Sequence, residues 1–232
     1  MKQQVRVGLI TIGQTPRPDL VSDLSQFWNN QFEIIQEGAL DGLDDSEIAL
    51  LEPAAGESDL ITRLADGRAV YVSHHRLTPY IQAAIERACK KGVSIAIIAC
   101  TGGFDSLQAA VPIIQPSHVL EHAVTAILER GKSVALIVPT EGQVQEAKDR
   151  WSERGYLVNA VHVASPYEGK LELIHRLSGD KQVTLADSVI YDCFAFGPDY
   201  ITDLSGTYRG PTFVPRVLVA KLLAGIFPQL EQ

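Results

Sequence analysis

The sequence predicts an α/β protein built as two lobes, each with a parallel sheet of about four strands and flanking helices. Three observations predict it. Short apolar runs rich in Val and Ile recur without alternation, as strands covered on both faces require. Segments with helical spacing lie between them, which implies βαβ units with right-handed crossovers. Two prolines, Pro112 and Pro116, separate a strand–loop unit from a new helix, where a crossover between halves fits. The expected boundaries are 1–113 plus 211–232 for the first lobe, with the C-terminal helix returning to it, and 114–210 for the second.

In chain order, the expected strands are Val5–Thr11, Glu33–Glu37, Ala69–Ser73, Val93–Ala99, Ser133–Val138, Leu157–Val163 and Ser188–Asp192. All are read as buried and parallel. After the first strand, the prolines of Thr15-Pro16-Arg17-Pro18 stiffen the loop and start a helix. The helix Leu77–Lys91 ends on two lysines and a glycine, a cationic last turn with a stop after it. His118–Arg130 stops at Gly131, with Ser117 as its expected N-cap. Gly142–Arg154 closes at Gly155 in the same way, and Phe213–Phe227 is the last helix. No sequence repeat links the two halves.

Composition narrows the function classes. The chain has 232 residues, 46% hydrophobic and 21% charged, which is too apolar for disorder and long enough to bury a full core. A net charge of −8 with 7% aromatic residues argues against a nucleic-acid surface. The apolar runs are strand-sized, shorter than the ~20 residues of a membrane helix. The start, MKQQVRVGLI, enters a strand without a signal-peptide pattern, so a cytoplasmic protein is expected. Three cysteines in such a chain read as thiols rather than bridges.

In open α/β sheets, ligands bind beyond the carboxyl ends of the strands. That rule selects the loops after Thr11, Ser73, Ala99, Val138, Val163 and Asp192. Two of the three cysteines fall there: Cys100 and Cys193 each end an apolar strand and precede a glycine-containing turn. Cys89 lies inside a helix and reads as a small apolar filler. Burial is the commoner fate of a strand-end cysteine, but one in each half at matching places suggests a pair. Two thiols on opposite faces of one carbon can move a proton alpha to a carboxylate, one as thiolate base and the other as thiol acid. Thr101 and Gly102 offer a hydroxyl and backbone N–H groups to that carboxylate. Gln14, Thr15 and Arg17 in the stiffened loop, His75 and Arg76 after the third strand, and Thr140 in the second half complete the candidate binding set. Arginine suits bidentate carboxylate binding, though a surface arginine is the commoner case. Because adjacent residues diverge, only one of His74 and His75 is expected to face the ligand. Asp192 works against a thiolate at Cys193 unless strand alternation turns the carboxylate away.

Other motifs carry less. His118-Val119-Leu120-Glu121-His122 matches a zinc-peptidase pattern, but it has no evident third ligand and reads as an exposed helix face. Neither a G-x-G-x-x-G fingerprint nor a P-loop is present. No metal or cofactor is expected. The expected partner is a small carboxylate-bearing ligand, with no nucleic acid or membrane, and a homodimer is allowed.

TIGQTPRPDL, EPAAGESDLITRL, VSHHR, QPSHVLEHAV, VALIVPTEGQ, VIYDCFAFG and PRVLVAKLLAG, in that order over nearly the whole chain, resemble the AroM family. That family is named for its association with genes of aromatic amino-acid synthesis. More remotely, the paired strand-end cysteines resemble the aspartate/glutamate/hydantoin racemase superfamily. This resemblance implies two flavodoxin-like lobes with a cleft between them and a cofactor-independent two-thiol mechanism. Amino-acid racemases of that kind show Cys-Asn-Thr and Gly-Cys-Thr where this chain has Cys100-Thr101-Gly102 and Asp192-Cys193-Phe194. Cys100 and Cys193 carry over as the acid/base pair and Thr101 as a carboxylate contact. Phe194 stands where a hydroxyl is usual, and with Phe196 it suits an aromatic or larger oxo-acid. The functions implied are a racemase or isomerase, a single-cysteine decarboxylase or cis–trans isomerase, or a non-catalytic small-molecule-binding or regulatory protein.

Overall fold

The structure, a computed structural model, describes residues 4–28 and 30–227. It forms two units, Met1–His118 with Val219–Gln232, and Val119–Leu218. Both divisions fall inside helices, whereas the expected boundaries sit at the short strands that precede those helices.

The first unit contains β1 (Val5–Thr11), α1 (Pro18–Ser25), β2 (Phe32–Gly38), α2 (Asp45–Ala49), β3 (Asp59–Arg63), β4 (Ala69–Ser73), α3 (His74–Lys90), β5 (Ile95–Ile98) and β6 (Ile113–Ile114), followed by α4 (Pro116–Ile127). Its main sheet has the order β2-β1-β5-β6, and every pairing is parallel. Val7, Leu9, Ile10 and the whole of β5 are buried, as strands covered on both faces must be. Helix α3 turns Leu77, Ile81, Ala84, Ile85 and Ala88 inward, an i, i+4, i+7 stripe set by the helical period. It starts at His74, ahead of the expected Leu77, because Ser73 accepts the Arg76 N–H as N-cap.

Two expectations need correction here. Ala69–Ser73 is a strand, but it pairs antiparallel with β3 in a separate two-stranded sheet. The reason is local: the Asp66-Gly67 turn closes a hairpin, with Gly67 at φ +91° and the Leu64 N–H on Arg68 O at 2.8 Å. Ser117 does not cap its helix, because α4 begins at Pro116, whose fixed φ suits a first helical position.

The second unit contains β7 (Ser133–Val138), a 3₁₀ turn at Glu141–Gln143, α5 (Val144–Glu153), β8 (Leu157–Val163), α6 (Lys170–Gly179), α7 (Lys181–Thr184), β9 (Ser188–Tyr191), α8 (Asp199–Leu204) and β10 (Thr212–Phe213), followed by α9 (Pro215–Ile226), which belongs to the first unit from Val219 on. Its parallel sheet runs β8-β7-β9-β10. Val134, Leu136, Val138 and Ile190 pack with Leu120, Val124 and the fully buried Trp151. The expected Gly142–Arg154 helix is therefore split, one 3₁₀ turn and then α5.

The two sheets have one topology. β1, β2, β5 and β6 occupy the places of β7, β8, β9 and β10, and in each unit a two-residue edge strand leads through one residue to a helix that starts at proline. No helix among the described residues is long and apolar enough to cross a membrane.

Candidate functional site

In the first unit, β1 and β5 are neighbours, so the loops after Thr11 and Ile98 leave the same edge of the sheet. Cys100 follows β5 and is 9% exposed. Its Sγ accepts the N–H of Gly102 at 3.3 Å. A Cβ on Gly102 would stand 3.0 Å from Leu60 Cδ2 and 3.4 Å from both Cys100 Sγ and His74 Cδ2, and Gly103 has φ +66°. The two glycines thus let the turn close tightly over the thiol. His74 lies flat on Phe104, with ring centroids 4.4 Å apart and planes within 5°. Its Nε2 is 2.7 Å from the Gly103 carbonyl. A carbonyl only accepts, so Nε2 carries the proton. Gln115 brackets Phe104, accepting its N–H at 2.8 Å and donating to its carbonyl at 3.2 Å.

The other first-unit candidates serve the frame. Gln14 donates to the Leu40 and Leu43 carbonyls and accepts the Ala65 N–H. Thr15 gives its N–H and hydroxyl to Asp41, which also takes the Gly38 N–H, each at 2.7 Å. Arg17 is buried, with its guanidinium on Asp19 at 2.9 and 2.6 Å. Arg76 ties down the preceding loop through the Leu50 and Glu52 carbonyls and the Glu57 carboxylate. His75 is exposed. Of the histidine pair, it is therefore His74 that lies beside the Cys100 turn, and Thr101, buried within that turn, stays with it.

In the second unit, β7 and β9 are neighbours, so Thr140 and Cys193 leave one edge of that sheet. Thr140 is buried ahead of the 3₁₀ turn. Cys193 is partly exposed, and its Sγ accepts the Ala195 N–H at 3.4 Å. The same contact, thiol to the N–H two residues on, therefore recurs after β5 and after β9. Asp192 turns away from this loop: Oδ2 meets the Arg150 guanidinium of α5 and the Trp151 Nε1–H at 3.5 Å. The carboxylate is directed toward α5, where Arg150 compensates its charge.

Phe194 and Phe196 are fully buried, so they build the loop from beneath. Phe196 packs on Tyr191 and Tyr200 at 5.1 and 4.9 Å between centroids. Burial raises the pKa of the Tyr200 phenol, as does the negative charge of Asp199, while Lys170 opposes them. Arg216 of α9, only 3% exposed, donates Nε–H to the Phe194 carbonyl at 2.9 Å and a terminal N–H to the Ala195 carbonyl at 2.7 Å.

From the sequence, His74 is only one of a strand-end pair with His75, and Gln115, Arg150, Tyr200 and Arg216 are not singled out as site residues. Arg216 had a signal, a charged residue directly after the proline that opens an apolar helix. The others become visible only through tertiary contact. Cys89 packs against the first core as filler. The His118 ring is 3.7 Å from Asp105, and Glu121 pairs with Arg154 at 2.5 Å. Among the described residues, no group of three or more His, Cys, Asp or Glu side chains is placed to hold a metal.

This fold is that of the Asp/Glu racemase-like proteins. The chain is similar over 96% of its length to maleate isomerase Iso from Pseudomonas putida S16, covering 92% of that chain with a TM-score of 0.64 at 13% identity. It matches unliganded arylmalonate decarboxylase at TM-score 0.63 and 12% identity, covering 97% of this chain and 94% of that one. Glutamate racemase from Aquifex pyrophilus matches at TM-score 0.57 and 13% identity, with 97% and 85% covered. Within that fold the protein belongs to the AroM family, whose model, described as AroM protein, matches residues 7–227. No functionally curated protein sequence matches the chain.

Proposed function

We propose that this protein is a cofactor-independent racemase or isomerase acting on a small carboxylate-bearing molecule, with Cys100 and Cys193 as its acid/base pair. One observation carries the proposal. Each cysteine lies two residues past the end of the equivalent strand of its own sheet, and each sulfur accepts the backbone N–H two residues on. An N–H aimed at sulfur favours the thiolate over the thiol, which is the form a base requires. Thr101 and the Gly102–Gly103 turn supply a hydroxyl and closely approachable backbone beside Cys100, as a substrate carboxylate needs. The structural neighbours named above, an isomerase, a decarboxylase and a racemase, support the reaction class.

The chemistry is a proton transfer at the carbon alpha to a carboxylate. One sulfur removes the proton, the carboxylate-stabilised carbanion forms, and the other sulfur protonates the opposite face. The test is solvent deuterium incorporation at the alpha carbon, followed by NMR, over a panel of hydroxy, amino and oxo acids that includes aromatic ones. Incorporation with wild type and its loss by at least about 100-fold in Cys100→Ala and Cys193→Ala is expected. Exchange that survives Cys193→Ala overturns the two-thiol assignment. The greater exposure of Cys193 favours, as a second reading, a one-thiol version in which Cys193 acts alone; survival of exchange in Cys100→Ala would select it. Thermal stabilisation by an acid without any exchange would assign a binding protein instead.

A further inference from the structure

The two thiols sit on equivalent turns, but the side chains that clamp those turns differ in charge and in which peptide they grip. After β9, Arg216 Nε–H donates to the Phe194 carbonyl at 2.9 Å. The N–H of that same peptide unit belongs to Ala195 and donates to Cys193 Sγ at 3.4 Å. A permanently charged guanidinium therefore holds one end of a peptide dipole whose other end points at the sulfur. Hydrogen bonds in series polarise one another, and Arg216 is buried, where such coupling is least screened. After β5 the peptide that donates to Cys100 joins Thr101 to Gly102, whereas His74 grips the Gly103 carbonyl of a later peptide. That clamp positions the turn without passing its polarisation through the bond to sulfur.

We propose that Arg216 is a positioning residue for Cys193, acting through the Phe194–Ala195 peptide to favour the thiolate there, so that Cys193 is the resting base and Cys100 the resting acid. This assignment rests on the two-thiol reading but is measured independently of turnover. Several charged and titratable groups lie around Cys193. On its N-terminal side, Asp192 is compensated by Arg150. From α8, Tyr200 stands over a Lys170 that pairs with Asp199 and Asp203. Tyr191 packs beneath. Arg216 from α9 is the cation that grips the loop itself.

The test is alkylation of the intact protein by iodoacetamide from pH 5 to 10, with Cys100 and Cys193 read separately by peptide mass spectrometry. In wild type, the Cys193 midpoint is expected at least one pH unit below that of Cys100. Arg216→Gln should slow Cys193 labelling at pH 7 about tenfold and raise its midpoint, leaving Cys100 unchanged. Arg216→Lys, which keeps the charge, should restore most of the rate. A merely structural role would change both cysteines or neither, and lysine would not rescue the midpoint. If Arg216→Gln fails to fold, the wild-type comparison still decides: a Cys193 midpoint equal to or above that of Cys100 overturns the assignment. Ordered midpoints without deuterium exchange would retain the relay and remove only the proposed reaction.

Discussion

Replacing Arg150 by Leu tests whether the carboxylate beside Cys193 is held by its arginine. Asp192 is 4% exposed, and its Oδ2 takes the Arg150 guanidinium and the Trp151 indole N–H. Removing one partner of a buried ion pair costs roughly 3–5 kcal/mol, because the remaining charge stays desolvated. The Arg150 side chain is 21% exposed, so water relieves part of that loss and the lower end, about 3 kcal/mol, is expected. For a chain of this size, each kcal/mol lowers Tm by about 2–4 °C, giving about 6–12 °C. Thermal unfolding followed by circular dichroism measures it. The double variant Arg150→Leu with Asp192→Leu should regain most of the loss, since apolar replacement of a whole buried pair is often neutral. Alkylation of Cys193 should slow in Arg150→Leu, because the neighbouring carboxylate is then less well compensated. A single variant within about 1 kcal/mol of wild type, or a double variant no better than the single, refutes the account.

Three further outcomes follow from the packing and the titrating groups. Trp28, buried against Phe32, donates Nε1–H to the Ala220 carbonyl of α9 at 2.9 Å; Trp28→Phe should cost about 0.5–1.5 kcal/mol by removing this second hydrogen bond to a helical carbonyl, read as a fall in Tm. A Cβ on Gly13 would meet the Arg63 carbonyl at 2.3 Å and Thr62 Oγ1 at 2.4 Å, so Gly13→Ala should destabilise by about 2–3 kcal/mol and speed amide exchange at Gln14, whose N–H bonds Arg63 O. Tyr208, which donates to the Ala186 carbonyl, is pushed up to about 12 by burial from an ordinary value of 10.0. A raised tyrosine pKa means the native state holds its proton more tightly. That stability is fully present below pH 10 and lost as pH rises through 12. Urea unfolding between pH 9 and 12 should therefore show a fall that is shallower in Tyr208→Phe; superimposable curves would exclude this contribution.

The symmetry of topology has a consequence for chemistry. If both halves present a cysteine after the same strand with the same N–H on sulfur, backbone architecture alone makes the two thiols alike. A reaction that needs one base and one acid must obtain the difference from side chains. The structure supplies different ones: an imidazole stacked on Phe104 and gripping Gly103 in the first unit, and a buried guanidinium gripping Phe194 and Ala195 in the second. Equivalent position is thus a statement about geometry, and on the proposed reading the clamps set which thiol holds the proton.

What was legible in the sequence divides along the same line. Val5–Thr11 and Ser133–Val138 are apolar runs whose own composition demands burial on both faces, and they coincide with the observed strands residue for residue. Leu157–Val163 coincides as well, but as an edge strand with no fully buried residue and Leu157 60% exposed, so its expected burial is corrected. The edge strands β6 and β10 are two residues long, too short for any period to register, and they exist only because a neighbouring strand offers them hydrogen bonds. Ala69–Ser73 has a strand's composition, but its direction is set by the Asp66-Gly67 turn and by pairing with Asp59–Arg63, a segment whose charged ends hide its buried Leu60 and Ile61. The strand ends, being fixed by the sheet, pointed to Cys100 and Cys193. The arginines and glutamine near them did not sort themselves in the same way. Arg17, Arg76 and Gln14 lie on the expected loops, yet their hydrogen bonds go to Asp19, Glu57 and the 40–43 carbonyls. Arg216 lies twenty-three residues after Cys193 and reaches its loop only because β10 turns the chain back onto β9. A polar side chain's partner is set by which segment folds beside it, and that information is spread over the whole topology rather than written at the residue.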